Sequence, residues 1–255
     1  MNGWTALLLA GSRPGNDPFA ERHGTDLKAL IPVGGVPMVA RPVTALLNSP
    51  QIGRVRVLTQ QPDPIAPILP ADVRLSIEPS GETIAATLQT ILADPATSYP
   101  LLVTTADHAL LDPAMIADFC GKAAGADLAI GMVEQGPLLA RLPETKRTWL
   151  RFRGGAWSGA NLFAFGSANA AKAVELWRSV EQDRKKGWRM IAALGPAVLM
   201  GAVLRLRTID QVLVSVGKKL GLTIRKVEMA NPLAAVDVDK EADYQLVTAI
   251  LEGRA

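Results

Sequence analysis

The first half of this chain alternates short, almost wholly apolar runs with stretches of helical periodicity. That alternation constrains the fold more than any other feature. Runs at 6–10, 55–59, 73–77, 101–105 and 127–133 read as strands, and 37–47, 82–92 and 113–124 read as helices. Strands this apolar need cover on both faces. They predict an α/β fold, a Rossmann-like, mostly parallel sheet with helices on both sides. Ligands of such a sheet lie at the carboxyl ends of its strands. Gly11 and Asp107 each follow a strand at that rim.

The second half reads differently. Residues 149–153 and 161–165 read as strands joined by the glycine-rich Gly154-Gly-Ala-Trp-Ser-Gly159. Residues 167–221 read as a helical insertion, punctuated by Gly187, Gly195-Pro196 and Thr208. Thr208 and Gln211 have the spacing of a capping box. A strand at 222–227 and a closing helix at 240–251 follow. No repeat or linker divides the chain, so 1–255 reads as a single domain carrying that insertion.

Composition narrows the function classes. With 49% hydrophobic and 20% charged residues, the chain can fill a core. One cysteine, Cys120, leaves no intrachain disulfide and reads as helix packing; with two histidines it cannot build an ordinary zinc site. The apolar stretch at 4–10 is short and lacks a basic lead-in. The longest apolar run, 191–204, contains Gly195, Pro196 and Gly201 and is too short for a bilayer. A cytoplasmic protein is expected.

Charge is unevenly distributed. Between Arg141 and Lys226 lie 17 Lys and Arg against 5 Asp and Glu, net +12; the remainder holds 10 against 19, net −9. The separation suits an anionic partner on one side, or a solvated basic surface. Arg184-Lys-Lys186, Arg189, Arg205, Arg207 and Lys218-Lys219 stand beside apolar faces of the insertion. They suit a packed subdomain with a basic exterior, a homodimer surface, a lid over an acceptor, or peripheral contact with an anionic membrane. Aromatic residues are 5% of the chain and are not interleaved with basic ones, so nucleic acid is not the expected partner.

Two segments suit a triphosphate. Thr5-Ala-Leu-Leu-Leu-Ala-Gly-Ser-Arg-Pro-Gly15 runs a strand into a glycine loop bearing Arg13. Asp26-Leu-Lys-Ala-Leu-Ile-Pro-Val-Gly-Gly-Val-Pro-Met38 adds Lys28 and a second glycine turn. Loop N–H groups and two cations together can hold phosphate oxygens. A hard cation that bridges those oxygens needs carboxylates. Asp107, delivered by the apolar run 101–105, is one source, and Asp237 and Asp239, two residues apart, are another.

These segments resemble the MobA-like nucleotidyltransferases, whose first strand ends in Leu-Ala-Gly and whose lysine lies in a Lys-x-Leu-x-x-(hydrophobic)-x-Gly segment. The resemblance implies a nucleotide-diphospho-sugar transferase type of sheet and Mg2+ as cofactor. It implies transfer of NMP from CTP or GTP to a phosphorylated small-molecule or lipid-precursor acceptor, with pyrophosphate released. CTP with a phosphorylated alcohol or lipid precursor is slightly favoured, because the insertion is both basic and apolar. Arg13 and Lys28 then fall in catalytic positions, and Ala10, Gly11, Ser12, Gly15, Gly81 and Thr83 in nucleotide-binding ones. Asn161, in Ser158-Gly-Ala-Asn161, falls on the acceptor side. Asp107 falls at the metal position, and Ala235-Val-Asp-Val-Asp-Lys-Glu-Ala-Asp243 resembles the closing Asp-x-Asp motif, which leaves Asp237 and Asp239 both open as ligands. Asp243 falls at a structural position. His23 and His108 need no acid–base role, since a phosphate acceptor is already ionised.

The chain departs from the family pattern at Pro14, which removes a loop donor, in a longer 16–26 stretch, and in the insertion. Two other readings stay open. One is a non-catalytic member that binds nucleotide or a membrane surface. The other is a nicotinamide-dependent oxidoreductase, although Gly11-Ser-Arg-Pro-Gly15 is not the Gly-x-Gly-x-x-Gly it would use.

Overall fold

A computed structural model of the chain describes residues 3–12, 15, 17–181 and 206–254. Arg13 lies outside the described residues. So does most of the basic run of the insertion, including Arg184, Lys185, Lys186, Arg189 and Arg205.

An eight-stranded mixed sheet forms the centre. Its strands are β1 (Trp4–Leu9), β4 (Ile52–Thr59), β5 (Leu75–Pro79), β6 (Leu101–Thr105), β7 (Leu128–Glu134), β8 (Leu150–Phe152), β9 (Gly155–Phe165) and β10 (Ile224–Glu228). The order is β10-β7-β9-β6-β1-β4-β5, with β8 paired to β9. Only β9 runs against its neighbours in the main path. The chain goes from β1 outward to β4 and β5, then returns to β6 on the other side of β1. Ligands of open α/β sheets gather at such a reversal.

Alternation along the strands divides the core into two layers. Ala6 and Leu8 of β1 face one cluster, where they join Val43 and Leu46 of α2 (Ala40–Leu47) and Ile116 and Phe119 of α4 (Pro113–Ala123). Leu7 faces the other, with Leu88 and Ile91 of α3 (Ile84–Ala93) and Val174 of α6 (Ala171–Glu181). Burying both faces explains why β1 and β6 carry no polar stripe.

Several boundaries differ from the sequence reading. The helix expected at 37–47 begins at Ala40, because Val36–Pro37 (β3) pairs with Pro32–Val33 (β2) across Gly34 and Gly35. Both glycines have positive φ, +55° and +76°, which L side chains resist. The glycine-rich 154–159 stretch is not a linker between strands. It is the start of β9, which turns out of β8 at Gly154 (φ +88°). Two helices were not foreseen. Asp17 caps α1 (Pro18–Arg22) by accepting from Phe19 N–H at 2.9 Å, and α5 (Gln135–Arg141) follows β7.

Of the 167–221 insertion, α6 and α7 (Ile209–Leu220) are described. Thr208 closes the capping box at the start of α7, its Oγ1 accepting from Gln211 N–H at 3.3 Å and its N–H donating to Gln211 Oε1 at 3.1 Å. Thr208→Ala is expected to lower unfolding stability by about 1 kcal/mol, measured by urea denaturation. A change under a few tenths would show that the cap adds nothing. After α7 the chain returns to the sheet as β10 and ends in α8 (Glu241–Leu251). Among the described residues no helix is long and apolar enough to cross a membrane.

Candidate functional site

The end of β6 and the extended segment before α8 meet around Lys28. The lysine opens a short 3-10 turn (Lys28–Leu30), and the segment behind it is tied down: Val39 N–H donates to Ala29 O at 2.9 Å, and Arg41 Nε donates to Val33 O at 2.7 Å. Ala29, Ile31 and Val33 are buried. With its neighbours anchored in the core, Lys28 presents its ammonium to the rim. Nζ donates to Asp107 Oδ2 at 2.8 Å and to Asp239 Oδ1 at 2.6 Å. Burial alone would lower the Lys28 pKa, but attraction from Asp107 and Asp239 outweighs it and raises it above the ordinary lysine value.

Asp107 stands just beyond β6. Thr105 Oγ1 donates to its Oδ1 at 2.5 Å, and its carbonyl accepts from Val238 N–H at 3.0 Å. That last bond lays residues 236–239 beside it. This segment is extended without being a sheet strand. Val236 and Val238 are buried, so the alternate residues Asp237 and Asp239 share the other side.

The two aspartates have different partners. Asp239 joins Lys28, whereas Asp237 is engaged by Arg147 through Oδ1 and by Asn161, whose Nδ2 donates to Oδ2 at 3.0 Å. Arg147 also donates from Nη2 to Asp243 Oδ1 at 3.1 Å. Burial, then repulsion from Asp239 and Asp107, pushes the Asp237 carboxyl above its usual range against the pull of Arg147. Neither aspartate caps α8. Its N-cap is Lys240, which makes no side-chain cap bond. Asn161 is held at φ +48°, unusual for a non-glycine residue, where β7 and β9 slip register between Ile130 and Met132.

On the far side of β1, Ala10 N–H continues the ladder to Leu58 O at 2.9 Å, so it anchors the glycine loop rather than offering that donor to a ligand. Ser12 N–H reaches Gln60 Oε1 at 3.0 Å. Gly81 is fixed by its own N–H to Thr87 Oγ1 at 3.0 Å, and Thr83 caps α3 by accepting from Ala86 N–H at 3.1 Å. Gly15 adopts φ +97°.

The structure therefore gathers Lys28, Asp107, Asp237, Asp239 and Asn161 in one connected network, and places Ser12 and Gly81 on either side of Gln60. Arg147 and Gln60 were not found from sequence. Gln60 could have been, since it directly follows a strand on the ligand rim. His108 is fully buried, which pushes its imidazole down to about 4 and keeps it neutral. His23 contacts Glu241 at 3.1 Å. Burial likewise pushes the Cys120 thiol up to about 12, in keeping with packing.

The donors suit a hard divalent cation. Two carboxylates, Asp107 and Asp239, already surround one positive nitrogen, and Mg2+ commonly takes one or two carboxylates and completes its shell with water and phosphate. Among the described residues no cluster of three or more His, Cys, Asp or Glu side chains could hold a metal without such help.

Comparison with known proteins agrees with the architecture. A hypothetical transferase from Thermus thermophilus is 29% identical, with a TM-score of 0.79 over 95% of this chain and 99% of that one. The 4-diphosphocytidyl-2C-methyl-D-erythritol synthase of Anaerococcus prevotii is 10% identical, with a TM-score of 0.64 over 98% and 96%. A CMP:2-keto-3-deoxy-manno-octonic acid synthetase complexed with CTP is 12% identical, with a TM-score of 0.57 over 99% and 100%. The last two likenesses show the fold, that of nucleotide-diphospho-sugar transferases. No curated protein matches the chain. The family model for the MobA-like NTP transferase domain matches residues 6–198, which include the glycine loop, Lys28, Asp107 and Asn161. Matched over most of its length, the chain belongs to the MobA-like NTP transferase family.

Proposed function

We propose that this protein is a Mg2+-dependent nucleotidyltransferase. It joins NMP from CTP or GTP to a phosphorylated small molecule or lipid precursor and releases pyrophosphate. The observation that carries the reading is the Lys28 ammonium held between Asp107 and Asp239 at the strand-end rim, where β6 lies next to β1. The printed names of the cytidylyl neighbours support CTP, as does the basic, apolar insertion.

In the reaction an acceptor phosphate oxygen forms a bond to the α-phosphorus as the α–β bridging bond breaks. The electron pair leaves with pyrophosphate. No proton need move, so neither histidine is required. The barrier is repulsion between anions and misalignment. Lys28 would turn from the carboxylates to the phosphate oxygens, with Arg13 and loop N–H groups adding positive charge. Mg2+ would be held by Asp107 and Asp239, and when bound it neutralises phosphate charge. Asp237 has both oxygens engaged by Arg147 and Asn161, which supports Asp239 as the second ligand and gives Asp237 a positioning role. Asn161 would then lie on the acceptor side.

Phosphorus NMR tests the reading. Incubation with Mg2+, each NTP and a panel of alcohol and sugar phosphates should yield pyrophosphate together with an NDP-linked product. Nucleotide binding without either product from any pair would favour a non-catalytic member.

A further inference from the structure

Arg147 lies in the irregular stretch between α5 and β8, which is anchored on both sides of it. Thr145 N–H donates to Leu142 O at 3.2 Å, and Trp149 packs on the core. The arginine side chain is 7% exposed, too little to meet a substrate. Its fork reaches the closing stretch of the chain at two points. Nη1 pairs with Asp237 Oδ1, and Nη2 donates to Asp237 O at 3.4 Å and to Asp243 Oδ1 at 3.1 Å. Asp243, buried in the first turn of α8, in turn accepts from Asp239 N–H through Oδ2 at 3.4 Å. Arg147 therefore grips one end of the 237–239 segment directly and the other through Asp243.

That segment needs such a grip. It is not a sheet strand, so no ladder fixes it. Asp237 and Asp239 share one side, and Asp239 and Asp107 both repel Asp237. A planar guanidinium holds two carboxylates in a fixed geometry, which a flexible ammonium does less well. The placement also has a cost. Arg147 Nε is buried with no hydrogen-bond partner among the described residues. A buried donor left unpaired is destabilising, and well-packed apolar side chains commonly serve stability as well as a buried ion pair does. Stability alone does not account for this arginine.

We propose that Arg147 is a positioning residue for the cation seat. It fixes the 237–239 segment so that the Asp239 carboxylate faces Asp107 across Lys28. It also occupies Asp237, so that this third carboxylate does not displace Asp239. It touches neither substrate nor cation. The proposal rests on the nucleotidyltransferase reading. Groups that orient a metal's ligands commonly matter nearly as much as the ligands themselves.

Paramagnetic Mn2+ titration without nucleotide tests it in wild type, Arg147→Lys and Asp243→Asn, with urea denaturation to establish that each is folded. Arg147→Lys keeps a cation beside Asp237 and loses the fork. Asp243→Asn keeps the shape of the link and loses its charge. Each variant should bind Mn2+ about tenfold or more weakly than wild type while remaining folded. In turnover, both should need more Mg2+ for half-maximal pyrophosphate release. The NTP KM at saturating Mg2+ should stay near wild type, because Lys28 is unchanged. Wild-type Mn2+ affinity in either folded variant would overturn the proposal and leave Arg147 as a structural brace. Should Arg147→Lys fail to fold, Asp243→Asn decides alone. A wild-type protein that bound no Mn2+ would overturn the proposal too, and pyrophosphate release by that same protein would still uphold the nucleotidyltransferase reading. The expected Mn2+ losses, in a protein whose wild type releases no pyrophosphate from any NTP, would sustain the positioning of the seat and count against the nucleotidyltransferase reading alone.

Discussion

Asp107→Asn is expected to reduce pyrophosphate release roughly a thousandfold while the protein stays folded. The substitution keeps the side-chain shape and removes one of two charges facing the rim. A bound cation contributes several kcal/mol of charge stabilisation during phosphoryl transfer, and each 1.36 kcal/mol is a factor of ten in rate. Asp107 lies at the end of a strand buried on both faces, and its backbone carbonyl bond to Val238 does not depend on the side chain. Circular dichroism and the unfolding midpoint should therefore stay close to wild type. Near-normal turnover in Asp107→Asn would remove it as the principal metal ligand.

The second large effect has two signs. Lys28→Ala should weaken NTP binding tenfold or more, since a charge-assisted hydrogen bond contributes about 1.5–3 kcal/mol. The same change should tighten binding of Mn2+ or Mg2+ measured without nucleotide. Asp107 and Asp239 would lose the cation between them, and a divalent ion would no longer compete with the ammonium. Paramagnetic Mn2+ titration checks this. If both affinities fell together, Lys28 would be holding the site's shape rather than occupying its cation seat.

Much of this arrangement could be read from residue order, and the exceptions have physical causes. β6 falls at 101–105 as expected, because burial on both faces leaves an apolar run with sharp ends. The same logic put Gly11 and Asp107 on the rim. The helix at 37–47 was overextended because Val36-Pro37 carries the same apolar character whether it pairs in a hairpin or opens a helix. Sequence spacing could place Asp237 and Asp239 on one side but could not divide their roles. That division depends on Arg147, which sits in an aperiodic loop 90 residues before Asp237 and is recognisable only once the chain has folded. Gln60 was overlooked for a simpler reason. An exposed glutamine two residues before Pro62 resembles an ordinary turn. Arg13 and the basic run 184–189 stay on the sequence reading alone.

In the proposed nucleotidyltransferase, the Lys28–Asp107–Asp239 cluster is the phosphate and cation seat. Isothermal titration of CTP and GTP into wild-type protein, with and without Mg2+, and into Asp107→Asn, tests it most directly. Saturable one-to-one binding of one of these nucleotides is expected, strengthening markedly with Mg2+ in wild type and losing that Mg2+ dependence in Asp107→Asn. Binding that is indifferent to Mg2+, or an Asp107→Asn protein that keeps the full Mg2+ dependence, would contradict it.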